Sequence, residues 1–172
     1  VIARTAKICI LGDFAVGKTS TIARFVNNVF SEEYLTTVGV KIDTKEAHTK
    51  HGPIKLVVWD IAGTDELSTI EFAYLRGSAG FILVADGTRR KTLANALRLR
   101  EELVAQHGEL PFVAMLNKAD LSQQWEIDDD VLEASQQAGV DWIRCSAKTG
   151  ENVEEAIISL AEAIAGSGNE DA

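Results

Sequence analysis

The segment Gly12-Asp13-Phe14-Ala15-Val16-Gly17-Lys18-Thr19 combines the residue types that handle phosphate. Glycine lets the backbone bend so that its N–H groups face an anion, Lys18 reaches the outer phosphates, and the Thr19 hydroxyl is a hard oxygen ligand for Mg²⁺. Asp13 to Ser20 are therefore expected to contact a bound nucleotide. The segment follows an apolar run and opens an amphipathic one, the strand-loop-helix setting this chemistry needs. A glycine turn that merely caps a helix is the bland alternative, and the agreement of pattern with setting argues against it.

Three later segments add contacts of other kinds. Asp60-Ile61-Ala62-Gly63 ends an apolar strand, which puts a carboxylate near the metal and a glycine N–H where a terminal phosphate is sensed. Alone, Asp-x-x-Gly is a common turn; behind a phosphate loop it reads as a second contact set. In Asn117-Lys118-Ala119-Asp120, the Asp120 carboxylate can accept the ring N–H and amino group that guanine, unlike adenine, presents together. Cys145-Ser146-Ala147-Lys148 ends the last strand, where the Ala147 backbone N–H is placed to donate to the guanine carbonyl oxygen.

Positioning these segments requires a repeated alternation of strand and helix. Lys7 to Leu11, Leu56 to Asp60, Gly80 to Asp86, Phe112 to Asn117 and Val140 to Cys145 are short continuous apolar runs, the signature of buried, mostly parallel strands. Ile22, Phe25, Val26 and Val29 share one helical face, as do Val153, Ala156, Ile157, Leu160, Ala161 and Ile164. Further helices are predicted near 66–76, 91–106 and 129–138. Val38 to Thr49 and Ile54 to Ile61 flank the turn-rich Lys50-His51-Gly52-Pro53 and read as an antiparallel hairpin on the parallel sheet. Open α/β sheets bind ligands beyond the carboxyl ends of their strands, and every segment above falls at such an end.

Taken in order, Gly-x4-Gly-Lys-Thr, Thr37, Asp-x-x-Gly, Asn-Lys-x-Asp and Ser-Ala-Lys resemble the Ras superfamily over essentially residues 5–165. Thr37-Val38-Gly39-Val40, Trp59-Asp60-Ile61-Ala62-Gly63, Tyr74-Leu75-Arg76-Gly77 and Ser146-Ala147-Lys148-Thr149-Gly150-Glu151-Asn152 are most similar to its Rab branch. The resemblance implies an α/β phosphate-loop small-GTPase fold: a six-stranded, mostly parallel sheet with one antiparallel edge strand and helices on both faces. Residues 1–166 would form the domain and 167–172 a short polar tail. It implies GTP and GDP bound with Mg²⁺, held by Asp13, Phe14, Ala15, Val16, Gly17, Lys18, Thr19, Ser20, Asn117, Lys118, Asp120, Ser146, Ala147 and Lys148. By the same resemblance Phe30 packs on guanine and Tyr34 covers the phosphates, with ordinary packing as the weaker alternative for both rings. Thr37 joins Thr19 and Asp60 on Mg²⁺, and Lys18, Thr37, Gly63 and the residue at 64 serve catalysis. Segments 31–43 and 62–77 are the switch candidates, read by an effector, an exchange factor and an activating protein.

Three departures bear on function. Where the family usually has a water-orienting glutamine, this chain has Thr64 followed by Asp65. Threonine is shorter and β-branched, so its hydroxyl is not expected to reach the same place, and slow hydrolysis is predicted. Phe14 replaces a usually small residue near the approach of an activating protein's arginine, a contribution of ~10³ to 10⁵ in rate; blocking competes with the reading that the ring swings outward. Lys41-Ile42 stands where Rab proteins carry an acidic residue and an aromatic, so Ile42, Trp59 and Tyr74 read either as an altered recognition patch or as core.

Composition sets the outer bounds. With 172 residues, 46% hydrophobic and 25% charged, the chain suits one domain with a full core. A formal net charge of -9 disfavours nucleic acid and anionic membrane as partners. Cys9 and Cys145 lie in apolar stretches, which fits buried thiols in a reducing compartment. No apolar run approaches the ~20 residues of a membrane span, and neither a signal peptide nor a lipid-anchor cysteine is seen. A cytoplasmic monomer is expected, with peripheral membrane association only through a missing tail or a recruiting partner. His48, His51 and His107 lie apart in polar surroundings and receive no role, and Asp128-Asp129-Asp130 reads as a helix start. The leading expectation is a slow GTP-hydrolysing switch. A GTP-held scaffold is the alternative from another class, and an ATP-using phosphotransferase is disfavoured because Asn117-Lys118-Ala119-Asp120 would have no purpose there.

Overall fold

The computed structural model describes residues 4–13, 15–26, 33–35 (backbone only), 40–61 and 73–167. The strands are β1 (Arg4–Leu11), β2 (Glu33–Leu35), β3 (Lys41–Thr49), β4 (Gly52–Asp60), β5 (Gly80–Asp86), β6 (Phe112–Asn117) and β7 (Trp142–Arg144). The helices are α1 (Lys18–Val26), α2 (Arg90–His107), α3 (Asp129–Gln137) and α4 (Val153–Ser167), with a 3₁₀ turn at Ala119–Gln124. They build one sheet in the order β2-β3-β4-β1-β5-β6-β7, in which β4, β1, β5, β6 and β7 run parallel and β3 runs antiparallel to β4.

The apolar runs become buried strands because both faces of the sheet are covered. Side chains alternate between faces along a strand, so in β1 Ala6, Ile8 and Ile10 join the cluster under α1 and α4, while Cys9 and Leu11 join the cluster under α2. On α4, Val153, Ala156, Ile157, Leu160, Ala161 and Ile164 are all buried in the first cluster. Each fully buried aliphatic side chain of this kind contributes ~1.5 to 3 kcal/mol, so this stripe fixes the helix to the sheet. Asp128 caps α3 by accepting from the Val131 N–H at 3.0 Å.

The six expected strands are present, with differences at three places. A seventh, β2, lies outside β3, pairing Glu33 to Leu35 with Asp43 to Lys41, so β3 is not the edge over those residues. The outer rim of β3 carries backbone groups that need partners, and three extended residues suffice to meet them. The hairpin turn is two residues shorter than its four-residue spacer suggests: Thr49 pairs with Gly52, whose φ of 107° only glycine adopts without strain. Val140 belongs to the turn rather than to β7, because its N–H donates to the Ser135 carbonyl at 2.9 Å. Val29 and most of the expected 66–76 helix lie outside the described residues. Among the described residues, no helix is long and apolar enough to cross a membrane.

Candidate nucleotide-binding site

Parallel β1, β4, β5 and β6 bring the loops that follow them to one edge of the sheet. Among its described residues, the turn after β1 has two positive-φ positions, Ala15 at 61° and Gly17 at 100°. A Cβ on Gly12 would lie 2.4 Å from the Val84 carbonyl oxygen, and one on Gly17 would lie 2.3 Å from Asn117 Nδ2. Glycine at these two points thus permits a close approach that any other residue would prevent.

The Lys18 side chain folds across the mouth of this loop, 7% exposed, and donates to the Ile61 carbonyl at 2.8 Å and the Gly12 carbonyl at 3.2 Å. It thereby joins the end of β4 to the loop after β1. The Thr19 hydroxyl donates to Asp60 Oδ2 at 2.6 Å, so a hydroxyl and a carboxylate from positions 41 residues apart meet at this edge. Asp13 accepts from Asn95 Nδ2 at 2.6 Å, which ties the loop to α2. Ser20 is exposed at the start of α1.

At the other end, Asn117 is 3% exposed and bridges two loops: its Nδ2 donates to the Val16 carbonyl at 2.9 Å, and its Oδ1 accepts the Ala147 N–H at 3.0 Å. That N–H was expected to face a base oxygen. In this structure it donates to the buried Asn117 side-chain oxygen. Asp120 is exposed, with Oδ1 accepting from the buried Ser146 hydroxyl at 2.7 Å. The exposed Lys148 and its neighbour Ala147 are held from α1, where Arg24 donates to the carbonyls of both.

Lys118 has left-handed backbone, φ 72° and ψ 38°, and its ammonium donates to the Ala15 carbonyl at 3.2 Å and pairs with Asp86 Oδ2 at 2.7 Å. The Asp86 side chain is 1% exposed and also accepts from Arg89 Nε at 3.0 Å, the Thr88 N–H at 2.8 Å and the Thr88 hydroxyl at 2.7 Å. Burial pushes its carboxyl upward, but the bonds from Lys118, Thr88 and Arg89 outweigh that and leave it below the ordinary carboxylate value. Sequence reasoning did not single out Asp86, Asn95, Arg24 or Trp125, although each fixes a candidate site residue. For Asp86 a signal existed, a carboxylate closing an otherwise apolar strand at the ligand edge.

Phe14, Phe30, Thr37, Gly63, Thr64 and Asp65 lie outside the described residues, as do 31, 32 and 36–39 in the first switch candidate and 62–72 in the second; of Tyr34 only the backbone, in β2, is described. Ile42 and Trp59 pair across β3 and β4, and the Trp59 and Tyr74 rings lie 6.4 Å apart. All three are half-buried on the α2-side core, with Lys7 Nζ 3.9 Å over the Trp59 ring. His107 does not sit in polar surroundings, since its ring lies 6.2 Å from that of Phe81.

A family model described as the Ras family matches residues 7–166. The Ras-related protein Rab11D of Nicotiana tabacum is 36% identical over 157 residues, covering 90% of this chain and 70% of its own length. The Ras-related protein Rab-1 of Theileria parva is 32% identical over 161 residues, 92% of this chain and 73% of that protein. The Ras-related protein SEC4 of Saccharomyces cerevisiae is 33% identical over 160 residues, with coverages of 92% and 74%.

Proposed function

This chain belongs to the Ras family, on its Rab branch, as a GTP-binding small GTPase, and on that premise we propose a monomeric switch that holds GTP with Mg²⁺ and hydrolyses it slowly. The observation that carries the reading is the buried Asn117 bridge, which couples the loop suited to phosphate with the loop suited to guanine. In this reading Lys18 exchanges its carbonyl partners for phosphate oxygens. Asn117 and Asp120 read the guanine edge, Ser146 orients Asp120, and the Ala147 N–H is shared with the base oxygen. Lys118 lies alongside the base.

The oxygens of Thr19 and Asp60, 2.6 Å apart, fit a hard divalent cation that takes its remaining ligands from phosphate and water. Thr37 would join them. Such a cation neutralises charge on the phosphates. The Gly63 N–H contacts the terminal phosphate, and its loss after hydrolysis releases 31–43 and 62–77. Effectors, exchange factors and activating proteins read those segments, with Ile42, Trp59 and Tyr74 supplying apolar contact. The Rab branch points to regulation of vesicle transport in the cytoplasm.

Thr64 and Phe14 favour a second reading, a module that stays loaded with GTP and serves as a scaffold. Single-turnover hydrolysis of preloaded GTP, run beside Thr64→Gln, decides between them. A slow but clear turnover that glutamine accelerates supports the switch, and negligible turnover by the unmodified chain supports the scaffold. Competition with ATP tests the base assignment, which fails if GDP and ATP bind equally.

A further inference from the structure

The Trp125 indole lies directly beneath the guanine-reading segment. A Cβ on Gly87 would fall 2.2 to 2.6 Å from three atoms of that indole, so the ring rests on bare backbone. The Arg144 guanidinium carbon lies 5.4 Å from the ring centroid. Two backbone bonds hold this stack in place: the Glu126 N–H donates to the Gly87 carbonyl at 2.9 Å, and the Gly87 N–H donates to the Asn117 carbonyl at 3.1 Å. The indole Nε1–H then donates to the Lys118 carbonyl at 2.8 Å.

Lys118 is the residue that needs such support. A non-glycine residue in left-handed backbone carries strain and persists only where its surroundings hold it. Its conformation sets the turn between Asn117 and Asp120, the two residues that the proposed function assigns to guanine. The Leu121 N–H meets the same carbonyl at 2.9 Å, so the oxygen is held from the 3₁₀ turn and from the indole together.

We infer that Trp125 is a positioning residue for guanine recognition: seated on Gly87, it holds the Lys118 carbonyl and through it the angle at which Asp120 meets the base. The inference rests on the guanine-nucleotide reading above. Its test is the release rate of fluorescent GDP from the full chain carrying Trp125→Phe, which keeps a ring on Gly87 but removes the N–H donor. Loss of one such bond predicts release roughly fivefold faster. IDP lacks the amino group that guanine offers Asp120, so the IDP-to-GDP ratio of release rates should shrink toward one in the variant. A merely structural tryptophan would leave that ratio unchanged. Gly87→Ala pushes on the same ring from below and should give the same pattern, with the double variant no worse than the more severe single one. Trp142→Phe is the control, since Trp142 lies in the same cluster and its indole N–H has no hydrogen-bond partner among the described residues. Release within about twofold of the unmodified chain for both Trp125→Phe and Gly87→Ala, an unchanged ratio, or an equal effect of Trp142→Phe overturns the inference. Equal release of GDP and ADP by the unmodified chain overturns the guanine reading itself, and this inference with it.

Discussion

Asp86→Asn isolates the charge that anchors the base end of the site. The substitution keeps the volume and leaves an oxygen for the Thr88 N–H and hydroxyl, at 2.8 and 2.7 Å, while removing the negative charge opposite Lys118 and Arg89. A hydrogen bond to a charged group contributes about 1.5 to 3 kcal/mol. The Arg89 side chain is 42% exposed and largely recovers its hydration, so its share is small. Lys118, at 31%, recovers less, and it faces a carboxylate with almost no water of its own. The expected loss is therefore about 2 kcal/mol of unfolding free energy, together with faster GDP release because Lys118 loses its lateral tether. Urea unfolding reads the first and displacement of fluorescent GDP the second. The pH dependence is also set. A carboxyl held below 3.8 in the folded protein stabilises the fold above that value, and the contribution disappears as pH falls through the lower folded value. The gap between unmodified and variant protein should stay constant from about pH 8 to 5 and close below about 3.8. A gap under about 0.5 kcal/mol at neutral pH, or one that widens on acidification, refutes the reasoning.

Three further outcomes are expected. Asn117→Ala removes the bond to the Val16 carbonyl and strands the buried Ala147 N–H, so GDP affinity in equilibrium titration should fall by at least roughly tenfold and stability by about 1 to 3 kcal/mol. Burial, with a smaller push from Glu151, raises the Cys145 thiol to about 12, and burial likewise raises Cys9; iodoacetamide near pH 8 should therefore label neither in the native protein and both in urea. Because the folded value of Cys145 lies above the ordinary thiol value of 9.0, its contribution to stability is complete below 9.0 and is lost as pH rises toward 12, a decline that alkaline unfolding curves should show and that a Cys145→Ala variant should lessen.

The residues that face the ligand edge were legible because their chemistry is tied to local spacing. Gly12, Gly17, Lys18 and Thr19 form one turn, and Asn117 to Asp120 another, so the short-range pattern already carries their geometry. Their supports were not legible in the same way. Asn95 reaches Asp13 across 82 residues and Arg24 reaches Ala147 across 123, pairings that exist only once α1 and α2 pack on opposite faces of the sheet. Trp125 follows the 3₁₀ turn outside any motif, and only the missing side chain at Gly87 gives it a seat. The short β2 escaped for a different reason: three residues cannot display a period, and their pairing is imposed by the rim of β3.

The strand order explains why phosphate and base contacts should respond together. The phosphate-type loop follows β1 and the guanine-type turn follows β6, with β5 between them, so any link must cross the end of β5. Asn117 and Lys118 make that crossing, reaching the consecutive carbonyls of Val16 and Ala15. The crossing is possible because Gly12 lets the loop settle against Val84 of β5 and Gly17 leaves room for the Asn117 amide. Asp86, at the end of β5 itself, then pulls Lys118 down into the gap. The phosphate-side loop and the base-side turn are thus linked by two side chains and a buried carboxylate. A nucleotide held as proposed would therefore meet phosphate-side and base-side contacts that are joined across the end of β5.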